Sequence, residues 1–295
     1  MSEFQGLSTS IIDNGILKLE YLSNAGPRIV RLSAFGKENL FADVPSHLST
    51  RFGTYSFRGG HRLWHSPEAI PRTYIPDDDS IIVEELPDGV RLCGSTENGT
   101  GISKTMEVHM LQNQPVVQVS HIIRNDNLWE IELAPWAVTM FQLGGIAILP
   151  QPKGKVAEDK LWPNRNLALW SYTQINDPRL TLRDDFILIR GNPGLPPLKI
   201  GYFNPEGAIA YWLGGVLFRK TFDTFVGSSY PDLGCNTEAY CNDQFLEVES
   251  LGPLSKLKPG ESAKFDEKWE LFPGLDVPFL SEEIVAELSL APNQK

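Results

Sequence analysis

Residues 57–68, FRGGHRLWHSPE, carry two arginines, two histidines, a tryptophan and a glutamate beside a Gly-Gly pair. Arg58, His61, Arg62, His65 and Glu68 together offer donors and acceptors for hydroxyls or an anionic group. Trp64 adds an apolar face on which a sugar ring can stack. Gly59 and Gly60 permit backbone angles, or an approach by a ligand or another strand, that a Cβ would block. The plain alternative is a surface loop with an Arg–Glu ion pair and a half-buried tryptophan. His61 and His65 have the side chain whose ordinary pKa suits proton transfer near neutrality, whereas His47, His109 and His121 read as structural.

A second segment, residues 230–262, contains FLEVES. Alternation puts Glu247 and Glu249 on one face of a strand, roughly 7 Å apart. On a solvated face this is an ordinary polar strand side. Inside a concave pocket, desolvation and like-charge repulsion would raise the pKa of one of them and make it a usable general base. Tyr230, Asp232 and Glu238 lie shortly before this strand. Lys199, in PLKIGYF, is a further candidate cation.

Strands must position these groups. GILKLEYL (15–22), IIVEEL (81–86), VRLCG (90–94), KTMEVHML (104–111), VVQVSHIIR (116–124) and LTLRDDFILIRG (180–191) show alternation or β-branched enrichment, and several end in turn chemistry such as PDG or QNQP. LKPGES reads as a turn before KFDEKWELF, which predicts a hairpin with the glutamate strand. Only the tail, about 279–295, reads as helical, through SEEIVAEL with a possible Ser281 N-cap. Many strands without intervening helices predict an all-β antiparallel sandwich, taken as a single domain over 1–295.

Composition narrows the partners. A formal charge of −11, from 26 Lys+Arg and 37 Asp+Glu, disfavours nucleic acid. No apolar run approaches the length of a membrane helix, and the start MSEFQGLSTSIIDNG lacks a secretory pattern, so a cytoplasmic location is expected. Three cysteines without a CxxC pair give neither a disulfide framework nor a zinc site. The His61, His65 and Glu68 spacing is not convincingly helical, and no metal or cofactor is expected. G-x-S-x-G, P-loop, G-x-G-x-x-G and H-E-x-x-H patterns are absent.

In order along the chain, GPRIVRLSAFGKENLFA (26–42), RGG…W (58–64), VQVSHIIRNDN (118–127) and LEVESLGPLSKLKPGES…W (246–269) resemble the galactose mutarotase-like, or aldose 1-epimerase, superfamily. The resemblance spans most of the chain and implies a β-supersandwich that holds a sugar on its concave face without a cofactor. It also implies that Glu249 takes the anomeric proton, that Arg58 is the arginine of the glycine element, and that Tyr230, Asp232 and Glu238, shortly before the glutamate strand, contact sugar hydroxyls. By the resemblance, the family's central histidine would fall in ELAPWAVTMFQ, where Trp136 or a neighbour stands instead, so His65 or His61 is the candidate acid. Three readings follow: a sugar epimerase, a catalytically silent saccharide-binding module using Arg58, Arg62, Trp64 and Trp136, and a lyase acting on acidic sugars. A monomer or homodimer is expected.

Overall fold

The computed structural model describes residues 2–152 and 163–274. Two antiparallel sheets, of twelve and ten strands, stack face to face. Leu19, Leu32, Met106, Val119, Phe218 and Trp269 belong to the main buried apolar cluster, whose members come from both sheets. This is the all-β sandwich that the alternation predicts, and the helical tail lies outside the described residues.

Five strands of the larger sheet position the polar residues. In spatial order they are Gly53–Ser66, Ile131–Gln142, Phe245–Leu251, Thr237–Cys241 and Leu198–Tyr202. Their inward residues, including Leu63, Ala137, Val248, Ala239 and Ile200, join the main core. Their other face carries a second apolar cluster that includes Trp64, Trp136, Val138, Met140 and Leu251. Both faces are thus covered, and every residue of Phe245–Leu251 is buried. The FLEVES alternation therefore does not mark a core face and a solvent face; it marks an apolar interior and a walled polar site.

Two sequence expectations change. LTLRDDFILIRG is not one strand but a hairpin, Leu180–Leu182 against Phe186–Arg190, closed by an Arg183 N–H donating to the Phe186 carbonyl at 3.0 Å. Arg183, Asp184 and Asp185, all exposed, form the turn. The expected hairpin between the glutamate strand and KFDEKWELF is also absent. After Leu251 the chain adds a short strand, Ser255–Leu257, against Ile131–Leu133, then crosses to the ten-stranded sheet. There Ser262–Pro273 lies between Val116–Asn125 and Val216–Phe222.

Candidate functional site

Cross-strand register builds the site in rows, because residues opposite one another in a sheet share a face. Trp64 pairs with Trp136. Arg62 pairs with Val138, Val138 with Glu249, and Glu249 with Glu238. Met140 pairs with Glu247, Glu247 with Tyr240, and Tyr240 with Lys199. These rows open into a cleft of about 410 Å³ lined by Arg62, Trp64, Glu68, Trp136, Lys199 and Glu247. Tyr74, Trp170, Tyr172 and Tyr240 complete its aromatic wall.

Arg62, Lys199 and Glu247 are each held by an opposite charge, while Glu68 accepts from the Tyr74 hydroxyl. Arg62 Nη2 donates to Glu247 Oε1 at 2.8 Å, and its guanidinium lies 3.9 Å from the centre of the Trp64 ring. Lys199 Nζ sits 2.8 Å from Glu238 Oε2 and 3.1 Å from Glu249 Oε2. The same ammonium is 4.8 Å from the Trp136 ring centre and 4.7 Å from that of Trp170. Trp136 Nε1 donates to Glu249 Oε2 at 2.8 Å. Glu249 is fully buried beneath these partners and does not line the cleft.

Burial shapes the proton affinities. Desolvation, reinforced by the neighbouring Glu249 charge and opposed by Arg62, pushes Glu247 up to about 7. Desolvation also drives Glu238 well above the usual carboxylate range, with Glu249 adding to it and Lys199 opposing. Burial works against the Lys199 ammonium, but the Glu238 and Glu249 carboxylates outweigh it and hold its pKa well above that of an ordinary lysine. The cleft thus contains one carboxyl that changes charge near neutrality and one ammonium that stays protonated.

Five of the expected residues, Arg62, Trp64, Glu68, Trp136 and Lys199, line this cleft, while Glu238 and Glu249 lie directly under Lys199. The remaining ones lie elsewhere. His61 and His65 are odd-numbered neighbours of Arg62 and Trp64 on one strand, so they point to the opposite face. His61 Nε2 meets His121 Nε2 at 2.7 Å inside the sandwich, and His65 Nε2 lies 3.6 Å from Glu97. Burial holds both imidazoles below their ordinary pKa, helped at His61 by the His121 and Lys220 charges and opposed at His65 by Glu97. The expected convergence of these histidines with Glu249 on one pocket is therefore corrected. Arg58 pairs with Asp77 at 3.1 Å and with Asp78, outside the cleft. The Tyr230 hydroxyl accepts from the Phe225 N–H at 3.0 Å, Asp232 accepts from the Ser66 hydroxyl at 3.3 Å, and neither lines the cleft.

The glycine pair serves the fold. A Cβ on Gly59 would lie 1.9 Å from the Ala42 carbonyl oxygen, and one on Gly60 2.1 Å from that of Ile29. Neighbouring backbone, not a ligand, makes the close approach. His61, His121 and Glu267 bring possible metal-ligating atoms within 4.8 Å of one another. Yet Lys220 Nζ already sits 3.1 Å from Glu267 Oε1, and His121 Nδ1 is committed to the Phe265 carbonyl at 3.0 Å. A protein ammonium supplies the positive charge there. Sequence reasoning missed Trp170, Tyr172 and Tyr240 as wall residues, and nothing in their local pattern signals it.

No protein-family model matches the chain, and no curated protein matches it. Solved structures do. A candidate aldose 1-epimerase from Escherichia coli K12 superposes with a TM-score of 0.55 at 13% identity, covering 91% of this chain and 100% of its own. A galactose mutarotase-like protein from Lactobacillus casei gives 0.55 at 11%, covering 90% and 100%. The chain has the galactose mutarotase-like fold. A TPR-domain containing protein from Parabacteroides distasonis gives 0.61 at 12%, over 92% of this chain and 49% of its own. Among the described residues no helix is long and apolar enough to cross a membrane.

Proposed function

We propose that the cleft binds a neutral sugar and that Glu247 exchanges its anomeric proton, so that the protein interconverts anomers by opening and reclosing the ring. The observation that carries this reading is a glutamate with a pKa near 7 on the wall of an aromatic cleft. Such a group is half ionised at neutral pH and can both take and return a proton. Indole and phenol faces suit the apolar faces of a pyranose. Glu247 takes the place of Glu249 in this scheme because Glu249 is sealed beneath Trp136 and Lys199. A neutral sugar is favoured because both cations that line the cleft, Arg62 and Lys199, are already paired with glutamates. The same pairing speaks against a lyase, which needs a cation for the substrate carboxylate.

Anomer exchange followed by NMR on glucose, galactose, glucose 6-phosphate and glucuronate tests the proposal. Wild type is expected to accelerate exchange of a neutral sugar, and Glu247→Gln to reduce the acceleration by about 10²–10⁴-fold while retaining sugar binding. A second reading, a silent binding module, is favoured by one observation: no histidine lines the cleft, whose wall carries Trp136, and an indole does not deliver protons near neutrality. Saturable sugar binding without acceleration would select it.

A further inference from the structure

Ring opening needs a proton at the ring oxygen as well as a base at the anomeric hydroxyl, and no histidine faces the cleft among the described residues. Resting on the epimerase reading above, we infer that Lys199 is the proton donor to the ring oxygen and that Glu238 is the reserve from which it is replenished. Three placements carry this. Lys199 lines the cleft, and its ammonium donates a hydrogen bond to Glu249 at 3.1 Å and makes an ion pair with Glu238 at 2.8 Å. Among the described residues Glu249 is its one hydrogen-bond acceptor, so N–H capacity is left for a ligand, and the indoles of Trp136 and Trp170 flank the nitrogen. Lys199 and Glu247 also lie in one cross-strand row on either side of Tyr240, so their strands are two spacings, about 10 Å, apart. The Lys199 ammonium reaches back across this row to Glu249, on the strand that carries Glu247, so one pyranose-sized ligand at Tyr240 borders both groups.

The reserve follows from charge. Glu238 and Glu249 share a single ammonium inside a buried pocket, leaving one negative charge in excess. Burial disfavours that excess, so one carboxyl keeps a proton. Glu238 is the one pushed up by desolvation, and it stands 2.8 Å from the donor nitrogen. In the forward step Glu247 takes the proton from O1 as C1=O1 forms and the C1–O5 bond breaks. The bonding pair goes to O5, which receives a proton from Lys199, and Lys199 receives one from Glu238. Reclosure on the other face of C1 reverses each transfer, with no outside reactant.

The test compares wild type, Lys199→Arg, Lys199→Met and Glu238→Gln in anomer exchange of freshly dissolved α-D-glucose and α-D-galactose, alongside melting temperature and binding of the corresponding methyl glycosides. Arginine keeps the charge and donors but does not release a proton. Lys199→Arg is therefore expected to restore the fold and glycoside binding that Lys199→Met loses, yet to leave exchange slowed by about 10²–10⁴-fold. Glu238→Gln, which keeps a hydrogen bond but stores no proton, is expected to slow exchange as well. Lys199→Arg at the wild-type rate overturns the donor assignment while the epimerase reading stands. Wild type without acceleration on either sugar removes the epimerase reading and this inference together. If Lys199→Arg does not fold, Glu238→Gln decides, and an unchanged rate overturns the relay.

Discussion

Glu247 and Glu249 differ by two positions on one strand, and alternation alone says that they share a face. What separates them is a lysine from a strand about fifty residues earlier, which covers Glu249 and leaves Glu247 on the cleft wall. No local pattern reports that contact. The histidines show the converse: if FRGGHRLWHS is a strand, Arg62 and Trp64 must oppose His61 and His65, and reading the segment as a polar cluster hid that parity. Because Glu247 must be ionised to act as base, exchange is expected to rise with pH through about 7 to a plateau. A falling limb is expected only where Glu238, whose pKa burial raises well above the carboxylate range, gives up the proton that replenishes Lys199. A pH–rate profile checks this, and a bell centred near pH 6.5 would point to a histidine instead. Glu249→Gln is expected to slow exchange less than Glu247→Gln does, because Glu249 meets the ligand only through Lys199 and Trp136.

The strand Gly53–Ser66 carries the cleft's Arg62 and Trp64, and its placement depends on Gly59 and Gly60. Both have left-handed backbone angles, φ of 87° and 69°, and both lie against carbonyl oxygens of neighbouring segments. The need for glycine was legible in the sequence; that the close neighbour is Ala42 or Ile29 was not, because those residues are remote in sequence. Gly59→Ala is expected to destabilise the protein by roughly 2–6 kcal/mol, combining a left-handed non-glycine residue with overpacking against backbone. Gly36→Ala supplies the comparison, since its φ is 69° but nothing lies within 4 Å of an added Cβ. Its expected cost is only the left-handed backbone term, about 1–2 kcal/mol. Urea unfolding measures both. Equal losses at the two positions would show that the close approach to Ala42 is not what selects glycine at Gly59. The surviving Gly59→Ala protein is also expected to bind sugar more weakly, because the strand that shifts holds Arg62 and Trp64.

At the scale of the molecule, the two-sheet sandwich was legible because period-two alternation recurs along most of the chain. The polar chain crossing its interior was not, because it joins both sheets. His121 Nδ1 donates to the Phe265 carbonyl, which leaves Nε2 to accept from His61 Nε2 at 2.7 Å. His61 Nδ1 then accepts from the Thr139 hydroxyl at 2.9 Å, and Thr139 Oγ1 accepts from Lys220 at 3.2 Å. This order requires both imidazoles to be neutral. Burial lowers the pKa of His61, His65 and His121, so below about pH 6.5 the unfolded chain binds up to three more protons at these sites than the folded one. Stability from them is present above that pH and lost as pH falls. Glu247 and Glu238 act in the opposite sense: their raised pKa values mean that the folded state keeps two protons that unfolded carboxylates release above about pH 4.5. Between pH 6 and 5 the two sets oppose one another, the histidines lowering wild-type stability as pH falls and the two glutamates raising it. Glu247→Gln removes one opposing proton. Its stability should therefore fall more steeply than that of wild type as pH is lowered, when urea unfolding is repeated at half-unit steps across that window. A slope in Glu247→Gln no steeper than wild type would mean that Glu247 does not hold a proton in the folded protein, and the base assignment would fall with it.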